Sequence, residues 1–336
     1  MTELSAVKKE NVVIDAGDCA VTLLPALGGK IASIRIGERE LLQAPLLPYA
    51  PRTRSMSFDE SDASGWDECL PSVAACTVET EAGPATIPDH GDLWRVEWQN
   101  REKGSGIRDQ GAVGGSESAV TLRGECFSLP LALERTATLT EAGMGWKLEL
   151  DYLLRNTGDQ AAPWSWAAHP LFVAEAGDRI VLPGSIHTLR LEGSGGGRLG
   201  AGGDTVNWPL AKLADGSTSD LSVAPGPESG IGDKLFAGPL NGTENWCALE
   251  RANAGVRIKI GFDAVATPYL GLWICYGGWP ERAGAKQVCV ALEPATAPVD
   301  SLAVSGPWSR TLGPGDCFSW TMTVEIQTLS KANRHA

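Results

Sequence analysis

The sequence predicts an all-β protein, a large antiparallel β-sandwich, and three observations predict it. Apolar and polar residues alternate with a period of two almost throughout, which sends successive side chains to opposite faces of a strand. Gly (40) and Pro (21) are frequent among the 336 residues, as suits a chain of many strands and turns. Windows with helical periodicity are scarce. Only short stretches such as LAKLAD (210–215) suggest a helical turn or two, and no parallel strand–helix–strand rhythm appears.

Taken in order, NVVIDAG (11–17), CAVTLLPA (19–26) and KIASIRIG (30–37) open the chain with β-branched and aliphatic residues. Gly or Pro closes each run. WRVEWQ (94–99) and AVTLRGEC (119–126) continue the pattern, and WKLELDYLLRN (146–156) is its longest instance. VRIKIGF (256–262), KQVCVALEP (286–294) and SWTMTVEIQT (319–328) complete it. Roughly 16–20 strands are expected, at the short spacing of a sandwich or barrel. Three Gly-rich segments, 101–118, 192–204 and 223–233, read as surface loops without a change of composition around them. A single domain is therefore expected over residues 1–336, with its core at about 12–328.

The net charge of −13 and the lack of a basic patch argue against nucleic acid as a partner. No window approaches the ~20 apolar residues of a membrane span, and the first residues lack the apolar stretch of a secretory signal. Eight cysteines lie scattered without CxxC pairs, mostly in apolar runs. They read as reduced, buried thiols, and a cytoplasmic location is expected. Trp (12) outnumbers Phe (6) and Tyr (4). Indole faces stack on the apolar faces of sugar rings, although most of these side chains are expected to fill the core.

Five stretches carry more polar potential than core strands need: SGWDECLP (64–71), PDHGDLW (88–94), WSWAAHPLF (164–172), GDKLF (232–236) and ALEPATAPVD (291–300). His90, one of four histidines, stands at the head of an expected strand, with Asp89 or Asp92 to fix its tautomer. His169 precedes Pro170, and proline usually marks the end or edge of a strand, which places this imidazole at a pocket rim. Glu293 precedes Pro294 in the same way. Partly buried beside other carboxylates, it would act as a base near neutral pH. Each stretch alone also fits a structural role: a histidine satisfied by a carbonyl, an exposed strand-end carboxylate, a turn at GWDE.

In combination the stretches resemble a known family. LPALGG followed by KIASIRIG is similar to the opening of the aldose 1-epimerase (galactose mutarotase) family. HGDLW resembles its first histidine motif, AAHPLF its second, and ALEPATAP the segment holding its catalytic glutamate. GDKLF falls where the family carries an aspartate that touches the sugar. The motifs occur in order between about residues 12 and 328. The resemblance implies a β-supersandwich with the active site on a sheet face, Glu293 as base and His169 as acid. It also implies that His90 bonds the ring oxygen or its neighbour and shares the acid role, that Asp233 orients hydroxyls, and that Trp273 stacks on the ring. The chemistry suits these residue types. Anomers interconvert when the C1 hydroxyl loses a proton and the ring oxygen gains one, and each such transfer contributes about 10²–10⁴-fold. No metal or cofactor is expected, because no redox step occurs. The expected partner is a monosaccharide or sugar derivative, and the protein a monomer or homodimer.

The pattern departs from the family upstream of His90. Family members carry an Asn- and Arg-containing stretch there, whereas this chain has SGWDECLPSV, with Arg52 and Arg54 well before it. Trp66, Asp67 and Glu68 become candidates for the missing sugar contacts, and Arg95 and Lys234 for binding an anionic sugar. Three other readings compete. One is a non-catalytic carbohydrate-binding module on the same fold. Another is an iron oxygenase, with His90, Asp92 and His169 as ligands and Arg179 binding 2-oxoglutarate; it leaves ALEPATAPVD without a role. The third is ring-opening epimerisation or hydrolysis of a more elaborate sugar.

Overall fold

The structure, a computed structural model, describes residues 11–101, 117–240 and 242–329. Two large sheets dominate it. The first has eleven strands, whose spatial order begins Val12–Ala16, Cys19–Leu24, Lys30–Ile36, Trp66–Cys69 and Ala167–Val173. It continues through Val288–Ala295, Tyr269–Tyr276, Ile231–Ala237, Thr188–Ser194 and Thr205–Asn207, with Arg39–Glu40 beside Lys30–Ile36. The second has eight strands, and its centre is Val256–Phe262, Cys317–Thr328, Gly145–Asn156 and Leu131–Ala142. Neighbouring strands within both sheets are antiparallel. The sequence-based expectation of an all-β sandwich holds.

Alternation decides which side chains lie between the sheets. Leu235, Leu272 and Leu292 stand directly across from one another on three adjacent strands. All three are buried in the inter-sheet core with Leu133, Leu150, Met322 and Ile326 of the other sheet. Burying each such side chain contributes about 1.5–3 kcal/mol. The neighbouring register, Lys234, Trp273 and Ala291, and the next, Phe236, Gly271 and Glu293, point to the opposite face. There, smaller apolar clusters form around Cys69, Val73 and Phe236, around Leu171 and Cys289, and around Phe58 and Trp94. Most tryptophans are filler, as expected: Trp66, Trp94, Trp98, Trp164 and Trp166 are among the largest fully buried side chains.

The structure differs from the expectation in several details. There are 25 strands among the described residues. Several of the additional ones, such as Arg179–Val181 and Arg310–Leu312, are three-residue pieces, too short to show alternation. LAKLAD forms no helical turn; Leu210–Lys212 pairs with Thr218–Asp220. WRVEWQ is not a strand at its start, because Leu93–Arg95 is a 3₁₀ turn. Of the expected loops, 192–204 and 223–233 are partly taken up by the strands Thr188–Ser194 and Ile231–Ala237. Most of 101–118 lies outside the described residues. The eight cysteines are free, and no helix among the described residues is long and apolar enough to cross a membrane.

Candidate active site

A cleft of about 360 Å³ opens on the outer face of the first sheet. Strands supply His169, Lys234 and Trp273 to its lining, and flanking segments supply Phe58, Asp59, His90, Trp279, Gln287 and Asp300.

His169 and Glu293 lie on adjacent strands, and the way those strands meet is unusual. Ala167 pairs with Ala295 and Leu171 with Ala291, but the ladder lapses between them. Pro170 and Pro294 fall in this gap, and neither has an N–H to form a rung. Both strands nevertheless continue past their prolines, to Val173 and Ala295. The prolines therefore do not end the strands, as the sequence suggested; they leave a stretch of sheet without rungs. His169 Nε2 lies 3.7 Å from Glu293 Oε1 across it. Gly271 stands opposite Glu293 on the other flank, where an added Cβ would lie 2.9 Å from Glu293 Oε2.

His90 is not at the head of a strand. It sits in a turn with φ +58°, a conformation that non-glycine residues seldom adopt and that tends to occur at functional sites. Three contacts hold it. Its ring stacks on Phe58 at 3.7 Å between centroids, with planes 8° apart. Its backbone N–H donates to the Val73 carbonyl at 2.5 Å. Its Nδ1 meets Asp89 Oδ2 at 2.8 Å. Asp92 plays a different part. It is fully buried and accepts from the Phe127 and Ser128 amides and the Ser128 hydroxyl. The tautomer of His90 is thus fixed by Asp89. The rings of His90 and His169 lie 5.1 Å apart.

Electrostatics separates the groups further. Burial pushes the His169 imidazole well below its ordinary range, and His90, Lys234 and Lys30 act in the same direction. Burial raises the Glu293 carboxyl; Lys234 opposes this and Asp300 reinforces it, leaving a net rise. Burial would also favour neutral Lys234, but Asp300 and Glu293 hold its ammonium well above the usual lysine range. Lys234 Nζ donates to Glu293 Oε2 and lies 3.6 Å from Asp300 Oδ1. Glu293 Oε1 and His169 Nδ1 are buried without a hydrogen-bond partner.

The other sequence candidates lie elsewhere. Glu68 faces the second sheet, where it accepts from Arg135 at 2.7 Å, Tyr152 at 3.0 Å and Trp166 at 2.9 Å. Trp66 is core, packed on Phe172. Asp67 is opposite His169 in register but is buried below the cleft, bonded to Lys30, which also pairs with Asp62. Asp233 faces away from Lys234; it accepts from Ser194 at 2.6 Å and pairs with Arg198. Arg95 donates to the carbonyls of Met56, Asp89 and Gly91 and so braces the His90 turn. Trp273 does line the cleft and donates from Nε1 to Gln287 at 2.9 Å. Arg179 lies outside the cleft on an edge strand, 3.2 Å from Ser222. The described residues contain no group of three or more His, Cys, Asp or Glu able to hold a metal ion. With Asp92 turned to Ser128, the His90–Asp92–His169 ligand set does not assemble.

Solved structures resemble this chain along nearly its whole length. A galactose mutarotase-like protein from Clostridium acetobutylicum superposes with a TM-score of 0.63 at 15% identity, covering 95% of this chain and 95% of its own. A galactose mutarotase related enzyme from Lactobacillus acidophilus gives 0.61 at 14%, covering 96% and 99%. An aldose epimerase homologue from C. elegans gives 0.60 at 12%, also covering 96% and 99%. This is the galactose mutarotase-like fold. No protein-family model matches the chain, and no curated protein matches it in sequence. At these identities the mutarotase-like likeness concerns the fold, and the chemistry rests on the cleft itself.

The cleft contains residues that the motifs did not reveal. Asp300 ends the stretch ALEPATAPVD without an obvious role there. Phe58 and Trp279 come from segments with no recognisable pattern, and Gln287 stands just ahead of the strand Val288–Ala295.

Proposed function

We propose that the protein is an aldose 1-epimerase-type isomerase acting on a monosaccharide or a sugar derivative. One observation carries this reading: His90 and His169, distant in sequence, line one cleft with Trp273, Trp279 and Phe58, and the buried Glu293 carboxylate lies 3.7 Å behind His169. In ring opening, Glu293 takes the proton of the anomeric hydroxyl as C1–O1 becomes a carbonyl. The bond from C1 to the ring oxygen breaks, and that oxygen takes a proton from an imidazole. Rotation about C1–C2 presents the other carbonyl face, and the reverse transfers close the ring.

His90 is the better proton donor of the two imidazoles. Asp89 holds the His90 Nδ1 and leaves Nε2 for the ligand, whereas burial disfavours a charged His169 and suits it to a hydrogen bond. This departs from the sequence-based expectation of His169 as the acid. Arg95 is bonded to backbone carbonyls and Lys234 is flanked by two carboxylates. The case for an anionic sugar therefore loses both of its cations.

A second reading, a non-catalytic sugar-binding protein, is favoured by the full burial of Glu293 behind Lys234. NMR exchange or polarimetry on fresh α-glucose and α-galactose separates the two. Accelerated equilibration that is lost in Glu293→Gln supports the enzyme, and binding without acceleration supports the alternative.

A further inference from the structure

We propose that Lys234 is the positioning residue for the base, fixing the Glu293 carboxylate in orientation and in its charged form at the floor of the cleft. The inference rests on the reading of Glu293 as the base. Its starting point is the geometry. Lys234 is the one cation lining the cleft among the described residues, where Asp59, Asp89 and Asp300 supply three carboxylates. Its stem packs along the outer face of the sheet, with Nζ 5.3 Å from the centre of the Phe236 ring. Its ammonium reaches Glu293 Oε2 and lies 3.6 Å from Asp300 Oδ1. With Oε2 held in this way, Oε1 is left facing His169 Nε2 without a partner. The lysine thus selects which carboxylate oxygen is available to accept a proton.

Lys234 also decides whether that oxygen is basic. A carboxylate with no exposure is driven toward its neutral form by desolvation, and a cation within about 4–6 Å opposes this. The groups facing Glu293 come from every element around it. His169 stands on one flanking strand, and Lys234 on Ile231–Ala237, the strand beyond the other flank. His90 comes from its turn, Asp300 from the segment after the strand, Cys289 from the same strand, and Cys69 from Trp66–Cys69 with Asp67 beyond it. The acids among them oppose the charged form of Glu293, His169 is held neutral, and Lys234 is the nearest positive charge. Burial alone would leave a protonated acid, unable to start ring opening. The ion pair is what makes a buried glutamate usable as a base.

The test follows the titration of Glu293 by two routes. The first is the acidic limb of kcat/KM for anomeric exchange. The second is the ¹³C shift of the Glu293 carboxyl in protein labelled at glutamate, assigned by the signal that disappears in Glu293→Gln. Lys234→Met should raise both midpoints by about 1–3 pH units, and Lys234→Arg should return them toward the wild type. Lys234→Gln, which keeps a polar end in a similar volume, replaces Lys234→Met if that variant does not fold. A midpoint that does not move when the charge is removed overturns the inference, even if activity drops at all pH values. If the wild type accelerates no anomeric exchange, the enzymatic reading fails, while the ¹³C titration still judges Lys234.

Discussion

Glu68 and Glu293 make an instructive pair. Both are wholly buried, both lie on strands of the first sheet, and burial raises the carboxyl of each. They face opposite ways. Glu68 points between the sheets, where Arg135, Tyr152 and Trp166 satisfy both of its oxygens. Glu293 points outward, with one oxygen on Lys234 and the other unpartnered before His169. Burial and a raised carboxyl do not by themselves distinguish structure from chemistry. Hydrogen bonding separates this pair: both oxygens of Glu68 are satisfied, whereas Glu293 keeps one without a partner, as Asp67 and Asp92 also do.

Exchanging the two acids is the strongest way to break this comparison. Glu293→Gln should cost about 10²–10⁴-fold in the rate of anomeric exchange and, because Lys234 keeps Asp300 as a partner, lose less stability than Glu68→Gln. Glu68→Gln should do the reverse, losing about 3–5 kcal/mol of stability because Arg135 is left as an uncompensated buried charge. If Glu68→Gln removed activity without loss of stability, the division of labour would be wrong.

A smaller effect is expected beside the cleft. An added Cβ at Gly91 would lie 2.2 Å from the Leu70 carbonyl oxygen, at φ +68°. Gly91→Ala should cost about 1–3 kcal/mol, read by thermal unfolding, and should displace His90. Asp89→Asn removes a charge-assisted bond worth about 1.5 kcal/mol. Exchange should slow about tenfold; an unchanged rate would remove Asp89 from the mechanism.

The mildest expectation concerns pH. The unfolded chain protonates His169 near 6.5, while the folded chain resists because burial lowers its affinity for the proton. As pH falls through that window the unfolded state binds more protons, and this residue's contribution to stability is lost at up to about 1.4 kcal/mol per pH unit. His169→Asn should flatten that slope in urea titrations at pH 5 to 7. An identical slope would mean that His169 titrates normally.

The all-β class was legible because alternation is a local signal, present in Leu148, Leu150 and Tyr152 without knowledge of any partner. His90, His169, Glu293 and Trp273 were legible as polar or aromatic residues in strand-like stretches that form recognisable motifs. The facing of Asp233 and Lys234 was not. Neighbours on a strand point to opposite sides, and GDKLF does not state which of the two looks into the cleft. Arg95 was misread as a ligand for anions because its carbonyl partners, Met56, Asp89 and Gly91, come together only in the folded chain. Glu68 and Asp67 looked alike in GWDE, yet their facing separates an inter-sheet ion pair from a buried cluster with Lys30.

The cleft draws on two kinds of chain. His169, Lys234 and Glu293 stand on central strands of a wide sheet, whereas Phe58, Asp59, Trp279 and Gln287 belong to connecting segments. Strands and connecting segments therefore both shape the cleft, and His90, in a turn stacked on Phe58, belongs with the connecting segments. Exchange of residues 277–286, which carry Trp279 but no contact to His90, offers a route to altering the ligand while His169, Lys234 and Glu293 stay in place.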